Sequence, residues 1–382
     1  MATVNAAQLR KIMFQLHLWV ALILFLPLVP LGLTGSALMM PDLVEKLTNP
    51  VPHAASAVDA AKPVSAYLDA GRAALPAGAR ITALKMPTEA GRPVEVQANV
   101  GRQSFGSGRS AWLDPATAEP IKVTPTRAPL FAFSHDFHGA FMVNGPGRKW
   151  VGWAGVAMTF LALSGIWLWW PRGPFMKAFA WRRTPDTMNN LHHLLGFWIS
   201  VPLFVVSLTG VFIAFPSLTN SIFGAAPGPA GAARPAEGAP TQRGSSGLLQ
   251  SPDQAVAVAI AAHPGASLVS LAFPGAGGRP GQAGPARKTW RVELSDKGAT
   301  TAVQVDDATG EVRAAPPQGA RGGGQTGPRS LIRPLHEGLV GGIVWQWLVF
   351  LAGLLPLVLA FTGVYLWARN ELRKSRARQA AA

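Results

Sequence analysis

Four long apolar runs without a single acidic or basic residue constrain this chain more than anything else in it. Ile12 to Met40, Trp150 to Trp170, Leu191 to Ala233 and Gly338 to Ala368 contain no Asp, Glu, Lys or Arg. In the third run, only Leu191 to about Phe215 reads as helix. A hydrocarbon layer of roughly 30 Å is crossed by about 20 apolar helical residues, and core helices of soluble proteins rarely stay uncharged for so long. The sequence therefore predicts a membrane bundle of four transmembrane helices.

The formal net charge of +15 does not indicate nucleic-acid binding, which would gather Lys and Arg into a stripe or motif. Instead, many basic residues flank the apolar runs: Arg10 and Lys11 before the first, Arg172, Lys177, Arg182 and Arg183 between the second and third, and Arg369, Arg373, Lys374, Arg376 and Arg378 after the fourth. The positive-inside rule puts these segments in the cytoplasm, so both termini are expected inside and the long loops, about 42–148 and 217–335, outside. Lipid is the one partner implied by composition. The absence of cysteine excludes thiolate metal sites, iron–sulfur clusters, c-type haem attachment and disulfides. The first run has a basic start and Gly35-Ser36-Ala37 beyond its apolar part, but it is too long for a signal-peptide core and is expected to be retained.

The chain repeats itself. Leu16-His17 and Leu191-His192 begin two segments with matching offsets: Pro27 and Pro202 ten residues after each His, Thr34-Gly35 and Thr209-Gly210 at seventeen, then Pro41 and Pro216. Phe137-His138-Gly139 and Leu335-His336-Glu337-Gly338 are likewise followed, twenty-six residues after each His, by Ser164-Gly165 and Thr362-Gly363, and then by Ile-Trp-Leu-Trp and Val-Tyr-Leu-Trp. This is the signature of a tandem duplication of a helix–outer domain–helix unit. The loops carry alternating, strand-like stretches at 80–86, 94–100, 111–115, 267–273, 289–294 and 302–306, and helical ones at 54–74 and 251–262. They read as two small α+β domains, with Gly- and Pro-rich loops at 224–247 and 275–284. The second of these loops lacks Gly-x-Gly-x-x-Gly, so no dinucleotide fold is signalled.

The resulting layout assigns 10–41 to the first transmembrane helix, 42–130 to the first outer domain and 131–172 to an outer-face helix and the second span. A cytoplasmic loop (173–189), the third span (190–216), the second outer domain (217–330), an outer-face segment with the fourth span (331–369) and a tail (370–382) complete it.

Ionisable residues within membrane segments are functional candidates by default. His17 and His192 occupy equivalent places near the cytoplasmic ends of helices 1 and 3, and His138 and His336 equivalent places before helices 2 and 4. Seventeen residues from His17 to Thr34 span roughly 25 Å at 1.5 Å each, so the two pairs belong near opposite faces. Imidazole is the commonest metal ligand and an axial ligand of haem iron. Without Cys or acidic residues in the spans, zinc or copper would be short of ligands, whereas a b-type haem asks for two imidazoles and an apolar slot. The duplicated pairs thus indicate transmembrane electron transfer. His193 is an alternative to His192 as ligand, and His135, with Asp136, is a candidate for lining an outer substrate or haem-propionate site. The Gly and Thr of the Ser/Thr-Gly pairs are assigned to helix packing.

The arrangement Leu-His with a distal Leu-Thr-Gly, then His-x-Gly or His-Glu-Gly with a distal Ser/Thr-Gly-x-Trp/Tyr-Leu-Trp, resembles the PepSY-associated transmembrane family over about residues 8–372. The ending Asp307-Ala-Thr-Gly-Glu-Val resembles the PepSY domain itself, while Asp114-Pro-Ala-Thr-Ala-Glu lacks its usual Gly. The resemblance implies two periplasmic PepSY-like domains on a bacterial inner-membrane protein. It also implies an oxidoreductase that passes electrons from quinol or a separate reductase, through haem b (two per chain), to a ferric siderophore, releasing Fe(II). His17 and His192 would hold the inner haem, His138 and His336 the outer one, with no catalytic acid–base pair. The alternatives are a non-enzymatic PepSY binding or regulatory protein and a siderophore or haem permease.

Overall fold

The computed structural model describes residues 5–56, 62–101, 106–170, 184–224, 248–275, 288–296, 298–315 and 327–381. The basic residues Arg172, Lys177, Arg182 and Arg183 of the expected cytoplasmic loop lie outside the described residues, as does nearly all of the loops at 224–247 and 275–284. The chain forms two compact units, one from Met1–Pro41, Phe133–Ala226 and Gly324–Ala382, the other from Asp42–Ala132 and Pro227–Gly323.

Among the described residues of the first unit, four helices are long and apolar enough to cross a bilayer: α1 (Ala6–Leu38), α5 (Gly147–Trp169), α6 (Thr187–Ala214) and α10 (Gly342–Ala381). Each expected span is present among them. Their starts follow ordinary capping chemistry. Asn5 and Gln8 form a capping box at α1 (Gln8 N to Asn5 Oδ1 2.9 Å, Asn5 N to Gln8 Oε1 3.2 Å), and Asp186 caps α6 by accepting from Met188 N at 3.1 Å. Past the apolar run, α10 continues through Glu371 to Ala381, where Ala, Arg, Lys and Glu are good helix formers and Lys374 bonds Glu371 at 2.8 Å.

Helix α1 packs on α5 and α10, and α6 packs on the same two, closing a ring of four. Small residues set the tight crossings. A Cβ on Gly32 of α1 would lie 2.4 Å from the Gly353 carbonyl oxygen of α10, and Ser36 Oγ donates to the Phe350 carbonyl at 2.9 Å. Between α5 and α6, the Thr159 and Ser207 hydroxyls are hydrogen-bonded at 3.0 Å, and a Cβ on Gly155 would meet Val211 at 3.1 Å. Close backbone approach over small residues is how helices associate where lipid removes the hydrophobic driving force. Two shorter helices of this ring region, α4 (Pro129–Ala140) and α9 (Arg329–His336), precede α5 and α10.

In the second unit, the eight strands of the described residues form one antiparallel sheet, in the order β4-β3-β2-β1-β5-β6-β7-β8. The strands are β1 (Arg80–Lys85), β2 (Val94–Asn99), β3 (Gly108–Leu113), β4 (Pro120–Pro125), β5 (Ser267–Ala272), β6 (Thr289–Asp296), β7 (Ala299–Asp306) and β8 (Val312–Ala314). Where the sequence reads as two small domains, the two strand sets are thus fused through their first strands. Leu84 pairs with Leu271, flanked by Ala83 with Ala272 and Lys85 with Ser270. Each of these strands carries a bulge, between Ile81 and Ala83 and between Leu268 and Ser270.

Helices α3 (Val64–Ala74) and α8 (Pro252–Ala262) pack on the sheet and on each other, and the core between contains Tyr67, Leu84, Val96, Leu113, Leu271, Trp290, Val292 and Val305, all fully buried. Several buried polar groups bridge strands and helices. Tyr67 Oη donates to the Pro115 carbonyl, and Trp290 Nε1 donates to Asp307 at 2.9 Å. Asp307 also accepts the Leu249 and Gln250 amides, at 2.9 and 3.2 Å, and Asp114 accepts from the Ser56 amide and hydroxyl. Each Asp thereby ties a strand end to the segment leading into α3 or α8. Two further helices, α2 (Pro41–Thr48) and α7 (Pro216–Phe223), begin at the prolines that end the repeated segments, where proline at the first helical position is preorganised.

Candidate functional site

The first helical unit gathers the four histidines of the repeated pattern, each hydrogen-bonded through Nδ1 to a different long helix. His138, on α4, is 3.0 Å from the Leu31 carbonyl of α1. His336, on α9, is 2.9 Å from the Val206 carbonyl of α6, with Thr209 Oγ1 at 3.3 Å. These carbonyls lie three residues before Thr34 and Thr209, whose hydroxyls donate to the Pro30 and Val205 carbonyls at 2.6 and 2.7 Å. A helical carbonyl has a second lone pair, and glycine opens the way to it. A Cβ on Gly35 would lie 2.7 Å from His138 Cε1, and one on Gly210 would lie 3.1 Å from His336 Cε1. The two rings face each other, with centroids 6.1 Å apart and planes inclined at 44°.

His17 of α1 is 2.8 Å from Ser164 Oγ of α5, and His192 of α6 is 2.9 Å from Thr362 Oγ1 of α10. The hydroxyls in turn donate back along their own helices, Ser164 to the Phe160 carbonyl at 2.7 Å and Thr362 to the Val358 carbonyl at 2.8 Å. His17 and His192 are near enough to interact electrostatically. The glycines that follow stand further off here: a Cβ on Gly165 or Gly363 would be 3.6 or 3.5 Å from Cε1 of His17 or His192. From His17 to Leu31 along α1 is about 21 Å at 1.5 Å per residue, so the two histidine pairs sit at well-separated levels.

Proton counting assigns one tautomer to all four rings. A carbonyl oxygen can only accept, so the proton shared with Leu31 and Val206 belongs to Nδ1 of His138 and His336. The Ser164 and Thr362 hydroxyls each have a single proton and lie 2.7 and 2.8 Å from the Phe160 and Val358 carbonyls; with the protons given there, His17 and His192 also donate from Nδ1. The lone pair is left on Nε2 in each case, and among the described residues no hydrogen bond engages it. This is the state in which imidazole ligates a metal, with its other nitrogen oriented by a second group. His138 and His336 are half-buried.

The other two candidates are placed differently. His135 is half exposed and bonds Asp136 at 3.2 Å. His193 lies beside His192, with ring centroids 6.2 Å apart and planes at 85°, and it is His192 that Thr362 holds. The Ser/Thr-Gly pairs, read from sequence as packing elements, lie against the histidines: Thr34-Gly35 at His138, Thr209-Gly210 at His336, Ser164-Gly165 at His17 and Thr362-Gly363 at His192. Their fixed offsets from the histidines in both halves were the available signal. The carbonyls of Leu31 and Val206, being backbone groups, carry none.

The residues fit a haem. Among the described residues no three His, Cys, Asp or Glu side chains converge on a metal position. Two imidazoles bound to opposite sides of one ion, at about 2 Å each, have ring centroids roughly 6 Å apart, and His138 and His336 stand 6.1 Å apart. Comparison with the curated proteins finds none that matches the chain. The PepSY-associated TM region family does match, over residues 14–370, and so takes in all four long helices, the sheet and every histidine of both pairs; the chain is a membrane protein belonging to that family.

Proposed function

We propose that this protein is a haem-b-bearing reductase of a bacterial inner membrane that carries electrons outward to a ferric siderophore. What supports the reading most is the set of four histidines in one tautomer, two of them face to face at 6.1 Å. His138 and His336 would hold one haem and His17 with His192 the other. Haem b supplies, when bound, a one-electron couple that needs no proton. The chain's own residues do the rest: Ser164, Thr362 and the carbonyls of Leu31 and Val206 keep the Nε2 lone pairs available, while the apolar helices exclude water.

On this reading the chain is a tandem duplication. The matched Nδ1 contacts, the paired bulges of β1 and β5 and the symmetric pairing about Leu84 and Leu271 support it. The termini are cytoplasmic and the sheet-bearing unit periplasmic, following the charge distribution. Quinol or a separate reductase is the donor. One quinol gives two electrons and two protons, enough for two Fe(III), each leaving the siderophore as Fe(II), which hard oxygen ligands hold weakly. The siderophore itself follows from the family resemblance. The test is an absorption spectrum of detergent-purified protein, oxidised and dithionite-reduced, with a pyridine haemochrome count. Two b-type haems per chain, reoxidised by added ferric siderophore, is the expected result; a colourless preparation from haem-replete cells overturns the proposal and leaves a regulatory or transport role.

A further inference from the structure

The two histidine pairs differ in what accepts the Nδ1 proton. At His138 and His336 the acceptor is main chain, and the ring rests on a glycine. At His17 and His192 a side-chain hydroxyl takes it, with the Leu359 carbonyl a further acceptor at His192, and the ring stands away from the following glycine at ordinary contact distance. We infer that Ser164 and Thr362 are positioning residues that fix the ligating tautomer of His17 and His192 and hold down the reduction potential of the centre between them. The inference rests on the haem reading above.

The physical reason is electron donation. An imidazole that gives its Nδ1 proton to an acceptor is a stronger donor at Nε2, and a stronger donor favours the oxidised metal. Each hydroxyl is fixed by its own bond to Phe160 or Val358, so it presents a lone pair rather than a proton to the ring. Remove the Ser164 oxygen, and Nδ1–H of His17 loses its partner in an apolar bundle, which is costly, while Nε2 donates less; without the Thr362 oxygen, His192 is left with the Leu359 carbonyl alone. The ring is then also free to turn or to change tautomer. At the other pair no side-chain change can remove the acceptor, because Leu31 and Val206 contribute backbone oxygens. Only the centre at His17 and His192 can therefore be tuned by substitution at the acceptor.

Potentiometric titration of the full haem-loaded chain, followed in the b-type absorbance, tests this. Ser164→Ala and Thr362→Val are expected to move one midpoint potential to more positive values and leave the other in place. Ser164→Thr and Thr362→Ser, which keep the hydroxyl, are expected to restore the wild-type potential. Thr159→Val is the control: that hydroxyl bonds Gly155 and Ser207 rather than a histidine, and both potentials should stay. Loss of one centre in Ser164→Ala, with its retention in Ser164→Thr, also upholds the inference. Two unchanged potentials in the doubly substituted, fully loaded protein overturn it while leaving the haem reading intact. Wild-type protein without b-type absorbance removes the haem reading itself.

Discussion

Gly35 of α1 lies directly against the imidazole of His138: a Cβ at residue 35 would stand 2.7 Å from Cε1 and 3.0 Å from Nδ1. Alanine there cannot be accommodated without moving the ring off the Leu31 carbonyl. At Gly165, by contrast, the same addition falls 3.6 Å from His17, an ordinary contact. Overpacking of this kind costs typically 1–3 kcal/mol, and here it falls on a ligand. Gly35→Ala is therefore expected to lose the haem of the His138 and His336 pair, halving the pyridine haemochrome count, whereas Gly165→Ala keeps both. Equal counts in the two variants would count against the placement of the ring on the glycine.

The adjacent histidines of α6 are expected to behave oppositely. His192 is the ring held by Thr362, and His193 stands perpendicular to it. His192→Ala and His17→Ala should each remove the same haem and leave the other, as should His138→Ala and His336→Ala for the second. His193→Ala should retain both. Haem counts together with electron paramagnetic resonance of the low-spin ferric signals separate the cases, and loss of a haem in His193→Ala would exchange the roles of the two residues.

Acid stability should report on Asp114. The Ser56 hydroxyl, then the amides of Thr117, Ala116 and Ser56, outweigh burial and hold its carboxyl down at about 2, against an ordinary 3.8. A carboxylate with a depressed folded-state value contributes stability above its unfolded value and loses it as pH falls through the folded one. The contribution should thus be complete above about pH 4 and fade toward pH 2. Ser56→Ala removes the largest of these influences, so its acid-unfolding midpoint, followed by circular dichroism, is expected to move to higher pH. An unmoved midpoint would mean that the backbone amides alone set the Asp114 value.

Much of the helical unit is legible in the sequence, because uncharged runs of this length have few other uses and because the histidines recur at fixed offsets. What escaped was the partnership between motifs. Ser164-Gly165 and His17 sit on different helices, and only the ring of α1, α5, α6 and α10 brings them together. Spacing along one helix cannot show which histidine a hydroxyl will meet across an interface. The strands were visible as alternating stretches, yet their fusion was not. Alternation fixes which face of β1 or β5 is buried and says nothing about what pairs with its free edge.

That edge supports a last expectation. Leu84 and Leu271 are fully buried partners at the junction of the two strand sets, and the core runs across the junction without a break. A leucine at such a site costs about 2–5 kcal/mol when cut to alanine. If the sheet behaves as one cooperative body, the cost of Leu84→Ala must be felt beyond β5, in strands belonging to the other set. Hydrogen exchange of the intact protein is the measure. Protection of the β6 and β7 amides, 289–296 and 299–306, is expected to fall together with that of β2 and β3. Leu271→Ala should do the same in reverse, and because the two side chains touch the same core, the double variant should fall short of the sum. Loss of protection confined to β1–β4 in Leu84→Ala would instead mean two domains that pair at their edges but unfold separately.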